Sequence, residues 1–172
     1  GAPGTFTHPM QVGSLAATAA ERIGASPLLA RVGSYYHDVG KLEHPYYFIE
    51  NQISRMNPHA TLTPALSARI IKRHVKEGLV LGRQWGLPAE VLDMIAQHHG
   101  TTRIEYFYRK ALEEAVATGA IVNDSDFRYS GPCPKSKEAG ILMLADSIEA
   151  TVKSLEKPTP KRIEDIVDGT IR

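Results

Sequence analysis

Two short stretches carry the residue types that do chemistry. In "SYYHDVGK", residues 34 to 41, His37 stands directly before Asp38, and in "QHHG" the pair His98-His99 stands before Gly100. The chain has seven histidines, and four further positions complete that count beside His37, His98 and His99: His8, His44, His59 and His74. Asp146 lies inside "ILMLADSIEA", where a carboxylate buried alone costs several kcal/mol, an order of magnitude, and is normally paired or bound to a metal. Each residue has a bland account. A lone histidine on an apolar face is usually a satisfied core residue, adjacent histidines at a helix end complement the macrodipole, and Asp146 can cap or pair with a lysine. One metal centre replaces all of these accounts at once. His8, His37, Asp38, His74, His98, His99 and Asp146 form a ligand set for two cations, because imidazole suits iron, manganese and zinc while carboxylate favours the harder of them. Asp38 has two oxygens, enough to touch both ions. Neighbouring helical residues point about 100° apart, so His98 and His99 both ligate only where a helix ends, and Gly100 permits that ending.

The elements that must hold these groups read as helix after helix. Ser26-Pro27, Thr63-Pro64 and Thr159-Pro160 each set a capping hydroxyl before a proline at the first helical position, where the missing donor costs nothing; Pro88 acts without the hydroxyl. The pattern predicts helices over 9–24, 27–38, 64–86 and 88–100, then over 102–119, 136–156 and from 160 onward, with a loop over about 120–135. His8 starts the first helix, His37 and Asp38 end the second, His74 lies inside the third beside Ile70 and Ile71, and His98 and His99 close the fourth. In the third helix Leu66, Ile70, Ile71, Val75, Leu79 and Val80 form an apolar stripe expected to face the core. Trp85, Tyr46-Tyr47 and Phe107-Tyr108 are expected to fill core or groove. The connection from Leu42 to Leu62 is long for a linker and follows the His37-Asp38 pair, so it is expected to wall a site. His44 and His59, beside prolines in it, are expected at the surface or in a groove. No alternating strand pattern competes.

Composition narrows the class. With 172 residues, 42% hydrophobic and 23% charged, this is one globular domain, and a net charge of +1 offers no broad cationic field for long nucleic acid. Any anionic ligand is held by local charge. The single cysteine, Cys133, excludes an internal disulfide and lies in a loop with no histidine near it in sequence, so it is read as incidental. Neither a spanning helix nor a signal peptide is visible. The opening "GAPGTF" reads as a cut end, so a longer protein is expected.

The order histidine, histidine-aspartate with "VGK", histidine, double histidine, aspartate resembles the HD-domain phosphohydrolase superfamily. The likeness extends to "GTFTHPMQVGSLA", "LLARVGSYYHDVGK", "PYYFIENQ", "NPH", "QHHGTT", "DFRY", "ADSIEA" and "PTP", which together are similar to the cytoplasmic HD domain of seven-transmembrane HD hydrolases, the PgpH-type cyclic di-AMP phosphodiesterases. It covers nearly the whole chain. The resemblance implies an all-α fold, a single helical HD-domain bundle over residues 1–172 with a metal site at its centre and two iron or manganese ions. It implies that His8, His37 and Asp146 hold one ion, that His74, His98 and His99 hold the other, and that Asp38 bridges. It also implies attachment to membrane spans absent here, on the cytoplasmic side, with cyclic di-AMP as substrate. Ala60, Thr61 and Ser130 depart from the pattern, none of them a ligand. The glycine-tyrosine-proline motif of the related cyclic di-GMP enzymes is missing after "QHHG".

The expected reaction is hydrolysis of one 3'-5' linkage to the linear dinucleotide. Two ions about 3.5 to 4 Å apart lower the pKa of a shared water and direct the resulting hydroxide at phosphorus. Lys41 is expected to contact a non-bridging phosphate oxygen. Arg128 and Tyr129 are expected to pair with phosphate or stack on a base, and Thr101 and Thr102 to hydrogen bond phosphate. The rival readings are an HD-type nucleotidase or deoxynucleoside-triphosphate hydrolase, and a regulatory domain that binds a nucleotide without turning it over.

Overall fold

The hydroxyl-proline pairs start helices where the sequence predicts. Ser26 Oγ accepts from the Leu29 amide at 3.2 Å, Thr63 Oγ1 from Leu66 at 3.3 Å and Thr159 Oγ1 from Arg162 at 3.4 Å, each satisfying a donor that the first turn leaves free. The computed structural model describes residues 3–52 and 57–171; the first two residues of "GAPGTF" and residues 53–56 of the long connection lie outside them. The helices are α1 (Pro3–Arg22), α2 (Pro27–Tyr36), α3 (Pro64–Gln84), α4 (Ala89–Gln97), α5 (Glu105–Thr118), α6 (Lys137–Lys153) and α7 (Pro160–Ile171), with short 3-10 turns in the connections. The fold is all-α, and among the described residues the one β-type pairing is an isolated bridge between Arg103 and Arg128.

Two clusters hold the bundle. Where α1, α2, α4 and α6 meet, Val12, Ala16, Ala20, Ala30, Met94, Leu142 and Ala145 are buried. Alanine on facing helices lets the axes approach, and Gly33 leaves the room that Met94 fills, since a Cβ there would lie 2.1 Å from its sulfur. Ala68, Phe107 and Phe127 bury a second cluster under α3, α5 and the turn Asp124–Phe127. α7 packs on α6 and buries no residue fully. No described helix is long and apolar enough to cross a membrane.

Three expectations are corrected. α1 starts at Pro3, so Pro9 lies inside it; the ring forfeits one helical hydrogen bond, and the packed face from Val12 to Ala20 keeps the helix continuous beyond it. The stripe on α3 does not form the buried face: Leu66 and Val80 are 40% and 52% exposed, while Ser67, Ala68, His74, Gly78 and Gly82 are buried. The reason is what packs there: a backbone turn lies on His74 and Gly78, and side chains of α4 reach in over Gly82. Tyr46, expected in core or groove, is exposed, while Trp85, half exposed, lines a groove with Phe6, Tyr35 and Leu42 as expected.

That turn, Val39–Leu42, sits directly on α3. A Cβ on Gly40 would lie 1.9 Å from the His74 carbonyl oxygen and 2.4 Å from the Gly78 amide nitrogen, so only glycine allows this approach. The "DVGK" glycine thereby brings Asp38 and Lys41 against His74.

Candidate metal centre

Each imidazole arrives from the end or the buried face of a helix. His37 caps the C-terminus of α2 and Asp38 precedes the Gly40 turn. His98 caps α4, and Gly100, with φ +52°, ends that chain segment so that His99 turns inward beside it. His8 comes from α1, His74 from α3 and Asp146 from α6. All are buried except His99, which is partly exposed. One ligand atom from each of Asp38, His74, His98 and His99 falls within 4.8 Å of the others, and the same holds for His8, His37 and Asp146.

Asp38 stands between the groups. Its Oδ1 lies 3.4 Å from His74 Nε2 and 3.7 Å from His98 Nε2. Its Oδ2 lies 3.2 Å from His37 Nε2 and 3.6 Å from His8 Nε2. Asp146 Oδ1 lies 2.9 Å from His8 Nε2 and 3.6 Å from His37 Nε2.

The far ring nitrogens decide what these near ones carry. The Nδ1 groups of His37, His74 and His98 donate to the carbonyls of Ser34, Ile71 and Ile95 at 2.6, 2.7 and 2.8 Å, each three residues earlier. A carbonyl only accepts, so Nδ1 keeps its proton and the ring, once neutral, turns a lone pair inward through Nε2. His74 Nε2 and His98 Nε2 then face one another at 3.1 Å, and the buried His37 Nε2 meets no partner with hydrogen-bond geometry. Converging lone pairs beside carboxylates are the donor set a divalent cation takes, so the residues fit a metal.

Protonation differs between the clusters. Burial works against charge on His37, but Asp38 and Asp146 override it and push the imidazole up to about 10. His8 is raised against burial by the same two carboxylates. Burial first, then neighbouring imidazoles, hold His98 well below the ordinary range and push His99 down to about 3, and burial lowers His74. Asp38 and Asp146 stay ionised despite burial, Asp38 through His37 and Lys41, and Asp146 through His37 and His8. Without a cation, protons on His8 and His37 balance the carboxylates.

A cavity of about 480 Å³ opens on this centre, lined by His8, Lys41, Phe48, His74, His99, Tyr129, Asp146 and Glu149 among others. Lys41 Nζ lies 2.7 Å from Asp38 Oδ2 and 2.7 Å from Glu50 Oε1; these carboxylates raise its pKa against burial. Tyr129 stacks on His99, centroids 4.1 Å apart, and burial raises its hydroxyl. The long connection does wall the cavity, through Phe48, Ile49 and Glu50.

Three residues expected to contact substrate do not line this cavity. Arg128 lines a neighbouring cleft, its guanidinium paired with Asp124 and donating to the Thr101 carbonyl at 3.2 Å. Thr102 spends its hydroxyl on the His99 carbonyl at 2.7 Å, and Thr101 is exposed beside Cys133. Neither threonine lines the cavity; both brace the loop that carries Tyr129, whose amide donates to the Thr102 carbonyl. His44 is exposed and His59 lines a groove, both as expected; His59 is largely buried there, donating from Nε2 to the Tyr47 carbonyl at 2.9 Å. Glu50 and Glu149 were not singled out in the sequence. Glu149 had a signal, three residues after Asp146 on the same helix; Glu50 had none.

Known proteins of similar sequence and structure identify the family. A model of the HD domain matches residues 5–151. The cyclic-di-AMP phosphodiesterase PgpH of Bacillus subtilis is 48% identical over 169 residues, 98% of this chain and 23% of that protein. The PgpH of Listeria monocytogenes is 47% identical over 171 residues, 99% of this chain and again 23% of that protein. The crystal structure of the L. monocytogenes PgpH HD domain in complex with cyclic-di-AMP superposes with a TM-score of 0.93 at 47% identity, covering 99% of this chain and 78% of that one. The chain thus spans about a quarter of the length of these curated relatives.

Proposed function

The chain belongs to the HD domain family, and from that premise we propose that it is a metal-dependent phosphodiesterase that opens cyclic di-AMP to the linear dinucleotide. The observation that carries the reading is the split of Asp38: one oxygen faces His74 and His98, the other faces His8 and His37. A carboxylate so placed would serve two cations, iron or manganese, with His8, His37 and Asp146 to hold one and His74, His98 and His99 to hold the other. Two such ions supply Lewis acidity, a water of lowered pKa and charge neutralisation along the line of displacement.

The chain's own residues do the rest. Ser34, Ile71 and Ile95 carbonyls lock three imidazoles in the tautomer that offers Nε2. Lys41 has three donors and gives two to Asp38 and Glu50, so the third is free for a non-bridging phosphate oxygen. Tyr129, held flat on His99, offers a face or a hydroxyl to the nucleotide at the cavity mouth. Arg128, Thr101 and Thr102 support it by fixing that loop. The identity to PgpH proteins supports cyclic di-AMP as substrate, the share of those proteins that the chain spans supports a domain of a longer protein, and the resemblance to seven-transmembrane HD hydrolases supports attachment to a membrane on its cytoplasmic side.

The test is to prepare the protein without oxygen, count its metals, and assay cyclic di-AMP beside cyclic di-GMP and deoxynucleoside triphosphates. Two ions per chain and linear di-AMP as product are expected. Asp38→Ala is expected to lose both the ions and turnover. Full turnover in that variant rules out the bridge, while intact cyclic di-AMP after long incubation with manganese or ferrous iron favours a binding module.

A further inference from the structure

His8 is held differently from the other imidazoles of the centre. His37, His74 and His98 each rest Nδ1 on a backbone carbonyl three residues earlier, a partner that no substitution removes. His8 rests Nδ1 on a side chain, Glu149 Oε2 at 2.7 Å, from a helix 141 positions away. Asp146 and Glu149 lie three residues apart on α6, so they share a face. They hold the imidazole by its two nitrogens, Asp146 Oδ1 on Nε2 at 2.9 Å and Glu149 Oε2 on Nδ1.

We propose that Glu149 is the positioning residue of the His8, His37 and Asp146 site, fixing the His8 tautomer and ring orientation so that Nε2 serves as a metal ligand. This rests on the two-cation reading above. Glu149 is not itself a ligand, because its oxygen lies on the ring edge opposite Nε2. Its other oxygen is 3.5 Å from Lys153 Nζ, which steadies the carboxylate against α6. A carboxylate behind a ligating histidine raises the basicity of the metal-facing nitrogen and limits its rotation. Only one of the two ions depends on it. The His74, His98 and His99 site takes its support from carbonyls and from the Tyr129 stack, and no ligand there touches Glu149.

The experiment titrates manganese alone into the metal-stripped full chain, following free manganese by electron paramagnetic resonance, for wild type, Glu149→Leu and Glu149→Gln. Wild type is expected to take up two ions. Glu149→Leu is expected to keep one at wild-type affinity and to weaken the other about 10- to 100-fold, replacing the spin-coupled signal of the pair with that of a single bound ion at limiting manganese. Glu149→Gln keeps an acceptor oxygen for Nδ1 without the charge, so it should fall between them and restore the coupled signal at higher manganese. Because the glutamine is isosteric, it reports even if the leucine variant folds poorly. Two ions bound to Glu149→Leu with unchanged affinity, or equal weakening at both sites, overturns the role of Glu149. A wild-type chain that binds fewer than two ions overturns the two-cation reading and this inference with it.

Discussion

Gly40→Ala is the sharpest probe of how the fold makes the site. A Cβ at Gly40 would lie 1.9 Å from the His74 carbonyl oxygen, and ordinary contact begins at 3.4 Å, so the turn and α3 must separate by about 1.5 Å (3.4 less 1.9). Both contacted atoms are backbone, within a continuous helix, so neither can swing aside as a side-chain tip does. Overpacking of this kind costs about 1–3 kcal/mol. The larger effect is on the centre, because the turn carries Asp38 and Lys41 while α3 carries His74. Asp38 Oδ1 now lies 3.4 Å from His74 Nε2, and a separation of the predicted size takes the carboxylate out of reach of a shared ion. A misplacement of about 1 Å already costs about 100-fold in rate, so turnover should fall by at least that factor and the ion held by His74 should be lost. Gly78→Ala is the control: its Cβ would meet Ile95 Cγ2 at 3.0 Å and the Gly40 amide nitrogen at 3.4 Å, contacts that a few tenths of an ångström relieve. Metal counts, turnover on cyclic di-AMP and thermal melting should be read on both variants. If Gly40→Ala retains two ions and wild-type turnover, the backbone contact does not position the centre.

The remaining expectations concern charge. Lys41→Met should lower turnover about 10²- to 10³-fold, as for loss of a donor to developing charge. It should leave metal affinity equal or higher, since a positive charge beside Asp38 is removed; unchanged turnover would exclude a role for Lys41 with phosphate. The metal-free protein should be most stable near pH 6.5. His8 and His37 have raised pKa values, so their contribution is complete below the unfolded value of about 6.5 and is lost as pH rises, for His37 through about 10. His74, His98 and His99 have lowered values and favour the fold above about 6.5. That contribution is lost as pH falls, for His99 through about 3, with the depressed Asp38 and Asp146 adding to the acid loss. Denaturant midpoints across this range, with and without manganese, check both slopes, and metal-free stability that rises from pH 7 to 9 contradicts the alkaline one.

Short-range chemistry decided what the sequence determined by itself. Ser26, Thr63 and Thr159 act within three residues of themselves, so their prolines announced three helices before any packing was known. His8, His37, Asp38, His74, His98, His99 and Asp146 stood out because imidazole and carboxylate in apolar helices demand a partner wherever they end up. What only the tertiary structure decided is which surfaces meet. The buried face of α3 is made of small residues, Ser67, Ala68, Gly78 and Gly82, because a backbone turn lies on Gly78 and side chains of neighbouring elements close over Ala68 and Gly82, and a search for large apolar residues looks past such a face. Thr102 has the right chemistry for phosphate, yet the path of its loop spends its hydroxyl on the His99 carbonyl, and the same path sets Arg128 in a neighbouring cleft, paired with Asp124. Glu50 and Glu149 have the composition of solvated surface until Lys41 and His8 are brought to them. Local rules reach about one helical turn along the chain, and the contact between Glu149 and His8 joins residues 141 positions apart, so it exists only once the bundle has closed.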